Sequence, residues 1–554
     1  MIPKDKELLY VPLGGSGEIG QNMGLYGQAG QWVMVDCGVG FADDTNPGLD
    51  LLVADPAFIE DQAERLAGIV LTHAHEDHVG AVGWLWRRLR APIYASPFTM
   101  AMVKSKLEEA GIEPAEVSLH TVYPGQPFRV GPFDLEFIHV THSIPEAHSV
   151  VLRTANGTVL HTADWKLDPD PLIGDVTDTE AFRALGDEGV VAMVCDSTNV
   201  FSTGHTNSEA AVRESLVPLI GRYEEGRIAV ACFASNVARV ESIAKAAQAN
   251  DREVALVGRS LWRMVDIARS CGYMQDAPAF LTEHDAAYIP DDRILYICTG
   301  SQGEAKAALS RVAQDNHPHV TLDEGDVVIF SSRVIPGNEK AIGRLYDNLA
   351  RLGVEVVTER DHFVHVSGHP KREELERLYQ LVRPRTVVPQ HGELRHLMEH
   401  AELAPEWGAG ESVLAENGQV VRLAPDPPEV IAEVPNGRLA IDGGDLRRLD
   451  GDLLRRRRRM IYNGAATATV VVDGAGSLLS APQLSAPGLV EKDDGALHDA
   501  IVADVRQAVD GLNGDGGRDD GAVREAARLA VRRGFRRAMG KKPETEIHVV
   551  RVGA

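Results

Sequence analysis

The chain has 554 residues, with 56 Lys plus Arg against 81 Asp plus Glu, a formal net charge of −25 with histidine neutral. At about 150 residues per domain this length holds roughly three or four domains, and a composition 44% hydrophobic and 25% charged excludes a disordered chain. No apolar run approaches the roughly 20 residues that cross a bilayer, and the acidic total argues against a polyanionic partner, since nucleic acid is ordinarily met with positive charge.

In chain order, MIPKDKELLYVPL lacks a secretory layout and reads as a first strand, LLYVPL. The following Gly15-Ser-Gly17-Glu-Ile-Gly20 matches GxGxxG, with Asp36 downstream, and raises a nicotinamide enzyme as the first possibility. The context excludes it. NMGLYGQAGQWVMVDCG reads as strand, Gly-rich turn and strand, so no helix N-terminus is there to receive a pyrophosphate. Further strands are expected at WVMVDCGV, AGIVLTH, PIYAS, FDLEFIHV, TVLHTADW and VVAMVCD, several ending on polar residues.

From about residue 207 the pattern changes to alternation: helix SEAAVRESLVPLIGRY, strand RIAVACFAS, helix NVARVESIAKAAQAN, strand EVALVG and another helix. Such alternation predicts a parallel α/β unit. After His391 short strands return at SVLAE, GQVVRLA and EVIAEVP. The Arg-rich LRRLDGDLLRRRRR follows, read as a linker or helix exterior, and then a small module with ATATVVVDG, LHDAIVADVRQAVDGL, a helix from about Gly521 and EIHVVRV. GLNGDGGRDDG is expected to be a loop. The five cysteines, Cys37, Cys195, Cys232, Cys271 and Cys298, never form CxxC, which predicts reduced thiols in a cytoplasmic protein and no cysteine metal site.

The segment richest in chemistry is LTHAHEDHVG, which sets His73, His75, Asp77 and His78 directly after the strand AGIVL. Imidazole and carboxylate suit zinc and similar ions. Residues two apart at a strand end point to one side, so His73 and His75 can share an ion, while Asp77 and His78 can face a second. His142, Asp164 and His391 follow later apolar strands in the same way. His148 and His161 are expected to be structural or to orient ligands.

These residues, in this order, resemble the metallo-β-lactamase superfamily. The resemblance implies an αββα sandwich with one ion held by His73, His75 and His142, another by Asp77, His78 and His391, Asp164 bridging and Asp36 in support. The alternating region resembles the β-CASP insertion of its nucleic-acid-processing branch. Asp196 in CDSTN, His369 in HVSGH and His391 in PQHGE resemble that branch's motifs A, B and C, and a histidine at motif C points to RNA and away from DNA. GGSGEIGQNM, DSTNVFSTGHTNSE, FASNVARV, CTGSQGEAKAALSRVA, VIPGNEKAIGRL, VHVSGHPKREEL and VPQHGELRHL, over nearly the whole chain, are similar to the bacterial ribonuclease J family. ADWK departs from its pattern around Asp164 without removing the aspartate.

The resemblance divides the chain into a metallo-β-lactamase domain (1–206 and 366–443), a β-CASP domain (207–365), a linker (444–462) and an α+β C-terminal domain (463–554). It implies a 5′-to-3′ exoribonuclease that prefers 5′-monophosphate ends, has endonuclease activity as well, leaves 5′-phosphate products and serves mRNA decay and rRNA maturation. Two Zn2+ are implied per chain, with Mn2+ or Mg2+ able to support activity. Asp77, Asp196 and His369 are the implied catalytic residues, with His369 protonating the departing 3′ oxygen. Ser235, Asn236, His365, Val366, Ser367, Gly368 and His369 are the implied 5′-phosphate pocket, and small residues with hydroxyl, amide and N–H donors suit that role. Single-stranded RNA, a homodimer or homotetramer built through the C-terminal module, and an RNA-degradation complex are the implied partners, with no membrane and no nicotinamide cofactor. The alternatives are a non-catalytic RNA-binding scaffold and a DNA-processing nuclease of the same branch.

Overall fold

A computed structural model describes every residue except 43, 44, 426, 492–494, 513–518 and 554. The chain forms two compact units, Met1–Phe41 with Leu51–Gly437, and Ala42–Asp50 with Arg438–Ala554. The first is built on two mixed sheets. In spatial order the eight-stranded sheet runs Glu429–Glu433, Gln419–Ala424, Leu8–Gly14, Met23–Gln28, Gln31–Val35, Leu66–Val70, Ile93–Ala95 and Leu119–Thr121. The seven-stranded sheet runs Phe128–Val130, Phe133–Val140, Ala147–Thr154, Gly157–His161, Ala192–Asp196, Thr386–Gln390 and Glu411–Ser412. SVLAE therefore holds only the end of a two-residue strand; beyond it the Ala415 carbonyl turns to accept from Ser16 Oγ.

Alternation along these strands aims one set of side chains into the space between the sheets. Tyr10, Tyr26, Val33, Val35 and Val70 from the first meet Phe133, Leu135, Phe137, Val150, Leu152 and Val194 from the second in one buried cluster. The other face of the second sheet carries Val151, Leu160, Met193, Cys195 and Val387, which pack under Phe182 and Leu185 of helix Thr179–Glu188 and Leu375, Leu378 and Tyr379 of helix Arg372–Val382. Leu85, Leu89, Phe98, Met102, Val103 and Leu107 form the buried sides of helices Val82–Leu89 and Pro97–Glu109. The αββα sandwich follows from this patterning.

The expected alternating region forms a five-stranded parallel sheet in the order Glu253–Val257, Ile294–Cys298, Ile228–Ala231, Val327–Phe330, Glu355–Val357. Its strands are short, β-branched and buried, as parallel sheets covered by crossover helices require. The GxGxxG segment meets no helix: Met23–Gln28 and Gln31–Val35 pair antiparallel as a hairpin.

In the second unit, Ala465–Asp473 pairs antiparallel with Gln483–Ser485 and parallel with Glu544–Val552. Helices Gly495–Asp510 and Asp520–Met539 cover the face bearing Ala466, Ala468, Val470 and Val472, with Phe535 wholly buried among them. The stretch expected as a linker, 444–462, is mostly structured. It contains the strand Asp445–Arg448, paired with Arg438–Asp442, and all but the last residue of helix Asp452–Asn463, whose arginines find acids to pair with in this unit. The loop expected at GLNGDGGRDDG falls mainly on 513–518, outside the described residues. Among the described residues no helix is long and apolar enough to cross a membrane.

Candidate metal centre

Each expected ligand stands just beyond a strand end on one rim of the sandwich. His73 and His75 follow Leu66–Val70, His142 follows Phe133–Val140, Asp164 follows Gly157–His161 and His391 follows Thr386–Gln390. Asp77 and His78 lie on the single turn Glu76–Val79. Donor atoms within 4.8 Å of one another group His73, His75, His142 and Asp164 on one side, and Asp77, His78, His391 and Asp164 on the other. Asp164 is common to both sets.

Within the first set, His75 Nδ1 lies 3.1 Å from His73 Nε2 and 3.0 Å from His142 Nε2. Nitrogens bound at about 2.0–2.1 Å to one tetrahedral ion stand about 3.3 Å apart, so this convergence is the spacing of a shared cation. Burial holds His73 and His142 well below the ordinary histidine pKa and His75 at about 4, which keeps all three neutral and able to ligate. In the second set, His78 Nε2 is 3.2 Å from Asp164 Oδ2 and His391 Nε2 is 3.2 Å from Asp77 Oδ2. Asp164 Oδ1 is buried without a hydrogen-bond partner. An orphaned carboxylate oxygen among imidazoles fits a metal-binding role, because a buried anion otherwise needs donors.

The far sides of the rings are fixed by neighbours. His78 Nδ1 donates to Asp36 Oδ2 at 2.7 Å, and His142 Nδ1 to the Gly368 carbonyl at 2.6 Å. Asp36 also accepts from Thr72 N (2.9 Å) and Thr72 Oγ1 (3.0 Å), and Thr72 Oγ1 lies 3.0 Å from His73 Nδ1. Thr198 Oγ1 donates to Asp196 Oδ1 (2.7 Å) and stands 2.9 Å from His391 Nδ1. Such partners set the tautomer and aim the other nitrogen inward. Asp36 (φ 64°), Ala163 (φ 50°) and His391 (φ 54°) occupy the left-handed region, the kind of local strain that gathers at sites. Of the two histidines expected to be structural, His161 is buried with Nδ1 2.9 Å from Tyr26 Oη, and His148 stacks on Phe137.

His369 Nδ1 is 2.8 Å from Asp196 Oδ2 and 3.9 Å from Asp164 Oδ2. Burial disfavours its cation, but the Asp196 and Asp164 carboxylates outweigh that and raise its pKa. These three and His391 form a third close set of donor atoms. The short His369–Asp196 contact makes it a charge-assisted pair, the arrangement of a held proton donor.

The expected phosphate pocket is only partly free. Ser235 is half-buried and its hydroxyl makes no hydrogen bond among the described residues. Both ends of the Asn236 amide are engaged: Oδ1 caps helix Val237–Gln248 by accepting from Arg239 N at 2.9 Å, and Nδ2 donates to Glu209 Oε1 at 3.1 Å. Ser367 Oγ accepts from Asn199 Nδ2 (2.8 Å) and His369 N (3.1 Å), and Val366 is buried. A Cβ on Gly368 would lie 2.7 Å from the His142 ring, so only glycine fits.

Several contributors escaped the sequence reading. Asn22 Nδ2 lies 3.3 Å from Asp77 Oδ2 and 3.0 Å from His78 Nε2, and Asn22 N donates to the Asp77 carbonyl at 2.9 Å. Gly38 abuts the metal loop: a Cβ there would fall 1.6 Å from the Asp77 carbonyl oxygen. The decoy glycines serve the same packing, since Gly15 O accepts from His391 N at 2.7 Å and a Cβ on Gly20 would touch Asp77.

A sandwich with two histidine–aspartate clusters sharing one aspartate at its rim defines a metallo-hydrolase of the metallo-β-lactamase superfamily. Family models agree segment by segment: "Beta-lactamase superfamily domain" over 31–211, "Ribonuclease J, beta-CASP domain" over 225–349, "Zn-dependent metallo-hydrolase RNA specificity domain" over 353–413 and "Ribonuclease J C-terminal domain" over 452–552. A ribonuclease J of Sinorhizobium meliloti is 44% identical over 100% of this chain and 98% of its own, and one of Mycolicibacterium smegmatis is 41% identical over 94% and 93%. A crystal structure of an Enterococcus faecalis protein of unknown function shares the fold, with TM-score 0.52 and 18% identity over 75% of this chain and 100% of its own. The chain belongs to the ribonuclease J family.

Proposed function

We propose that the chain is a metal-dependent ribonuclease that digests single-stranded RNA from 5′ to 3′, prefers 5′-monophosphate ends, also cleaves internally, and acts in the cytoplasm in mRNA decay and rRNA maturation. The HVSGH segment carries this reading. Ser367 offers a hydroxyl to a pocket, the Gly368 carbonyl holds His142, and His369 faces Asp164 and Asp196. Two residues span at most about 7 Å, so a terminal phosphate held at Ser367 stands about one nucleotide from the hydrolytic centre.

His73, His75 and His142 would hold one divalent ion and Asp77, His78 and His391 a second, with Asp164 between them. Imidazole-rich donors favour zinc, with manganese or magnesium as substitutes. When bound, such ions polarise a phosphodiester and lower the pKa of water to about 7. Asp77, half-buried at the open side, orients the attacking water. His369, with Nδ1 on Asp196, presents Nε2 to protonate the departing 3′ oxygen, which leaves 3′-hydroxyl and 5′-phosphate ends. We further propose self-assembly into dimers or tetramers through the C-terminal unit, and association with an RNA-degradation complex.

Metal-replete protein with end-labelled 5′-monophosphorylated RNA tests this reading, with mononucleotide release as the expected result. Internal fragments irrespective of the 5′ end would leave an endonuclease, binding without cleavage a scaffold, and preference for DNA a different nuclease.

A further inference from the structure

The proposed 5′ pocket is poor in available charge. Ser235 and Ser367 contribute hydroxyls. His365 is kept neutral, its pKa lowered to about 3 by burial and by the guanidiniums of Arg239 and Arg333. Arg239, the cation beneath the pocket, is wholly buried and fully engaged. Its Nε and Nη2 donate to Glu209 at 3.0 and 2.9 Å, and its Nη1 donates to the Ser331 carbonyl, Ser331 Oγ and the Val364 carbonyl at 3.0, 2.9 and 3.1 Å. A terminal phosphate carries about −1.5 to −2 charges at neutral pH. These groups give it hydrogen bonds and no free cation.

Arg333 is exposed in SSRVIPGN, beyond the end of strand Val327–Phe330. Its backbone is anchored by the buried Gln302, whose Nε2 donates to the Arg333 carbonyl at 2.9 Å while Oε1 accepts from Ile335 N at 2.9 Å. Its guanidinium is not. Nη1 lies 3.5 Å from Asn199 Oδ1, too long for a full hydrogen bond, and Arg333 forms no ion pair among the described residues. The other end of the Asn199 amide donates to Ser367 Oγ at 2.8 Å and the His369 carbonyl at 3.0 Å. One side-chain amide thus links the loosely held guanidinium to the pocket hydroxyl.

We propose that Arg333 is the residue that recognises the 5′-terminal phosphate: its guanidinium leaves Asn199 to pair with the terminal phosphate oxygens while Ser235 and Ser367 orient them, and it thereby sets the preference for a 5′-monophosphate over a 5′-hydroxyl. A guanidinium fork is suited to this pairing, and a pocket of neutral donors with one mobile cation binds a charged end without trapping every internal phosphate. The proposal rests on the 5′-end reading above.

The test uses the full chain with divalent metal, as wild type, Arg333→Gln and Arg333→Lys, on two RNAs that differ only in carrying a 5′-monophosphate or a 5′-hydroxyl. The quantity read is the ratio of kcat/KM between them. Loss of a charge-assisted contact is expected to lower that ratio about ten- to a hundredfold in Arg333→Gln, mainly through KM on the phosphorylated RNA. Arg333→Lys should recover part of it, since it keeps the charge and loses the fork. A wild-type ratio in Arg333→Gln overturns the proposal while the 5′-end reading stands. Equal losses on both RNAs also overturn it, because they mark a general or structural role. A wild type indifferent to the 5′ group removes the reading and the proposal together.

Discussion

Asp36→Asn isolates how one carboxylate serves both donor clusters. Asp36 is wholly buried at φ 64°, a backbone region asparagine tolerates, so the change is close to isosteric. Its Oδ2 accepts from His78 Nδ1 at 2.7 Å, and through Thr72 Oγ1 at 3.0 Å it reaches His73 Nδ1, a further 3.0 Å away. His78 belongs to one cluster and His73 to the other. The amide removes the negative charge and one acceptor oxygen, so His78 Nδ1–H or Thr72 must face an NH2. A hydrogen bond to a charged group contributes about 1.5–3 kcal/mol, and loss of an orienting partner costs about 10–100-fold in metal affinity; the two figures agree at about 1.4 kcal/mol per tenfold. Metal content should be measured by mass spectrometry after dialysis against graded chelator, with thermal unfolding recorded alongside. Under the two-ion reading proposed above, the expected result is depletion of both ions at about 10–100-fold less chelator than in wild type. Metal content equal to wild type at every chelator concentration would refute the reasoning. Depletion of one ion alone would show that the Thr72 arm does not orient His73.

His369→Ala should lower kcat about 10²–10⁴-fold while metal content stays at the wild-type level; loss of metal would instead make His369 a ligand of the third donor set. Gly38→Ala should deplete metal without unfolding the core, because its new Cβ displaces the Asp77 carbonyl; crystals or metal analysis matching wild type would contradict this. Glu209→Gln leaves Arg239 buried without its counter-charge and should lower stability by about 3–5 kcal/mol, read from the urea midpoint. An unchanged unfolding curve would mean that the pair contributes no net stability.

The candidate site was legible where chemistry follows a strand. An apolar run ending in His, Asp or His-x-His announces both the strand and the side chains at its end, so His73, His75, His142, Asp164 and His391 could be expected at strand ends, and the family resemblance added the single rim. Residues that act through the backbone or through a neighbour were silent. Nothing local marks Asn22 or Gly38, whose roles exist only because the Gly-rich loop and the turn after Val35 lie against Asp77. Asn236, placed in the phosphate pocket by the resemblance, has a second task that the sequence did not announce: its oxygen caps the helix starting at Val237 and its nitrogen donates to Glu209. The polar 444–462 stretch read as a linker because its helix has one buried residue, Leu454, and is held by ion pairs instead of an apolar stripe.

The net charge of −25 is a sum over positions with opposite tasks, which is why it misleads about the partner. Asp36, Asp164, Asp168, Asp196, Glu209 and Glu374 are buried, and face histidines, Lys166, Arg239 or backbone N–H groups instead of solvent. None of them repels RNA as a surface carboxylate does. The most basic stretch misleads in the other sense. Arg455, Arg456 and Arg457 pair with Asp452, Glu544 and Asp442 at 2.8, 2.9 and 2.8 Å, so the run of five arginines offers a polyanion less free charge than its sequence suggests. At the rim, carboxylates and imidazoles are arranged for cations, and the guanidinium of Arg333, without an ion pair among the described residues, stands beside the proposed pocket of hydroxyls. Under the proposed 5′-end reading, recognition built on so few groups would depend on presenting an end to them, and the net acidity of the chain would sharpen that dependence by giving internal phosphates little else to hold.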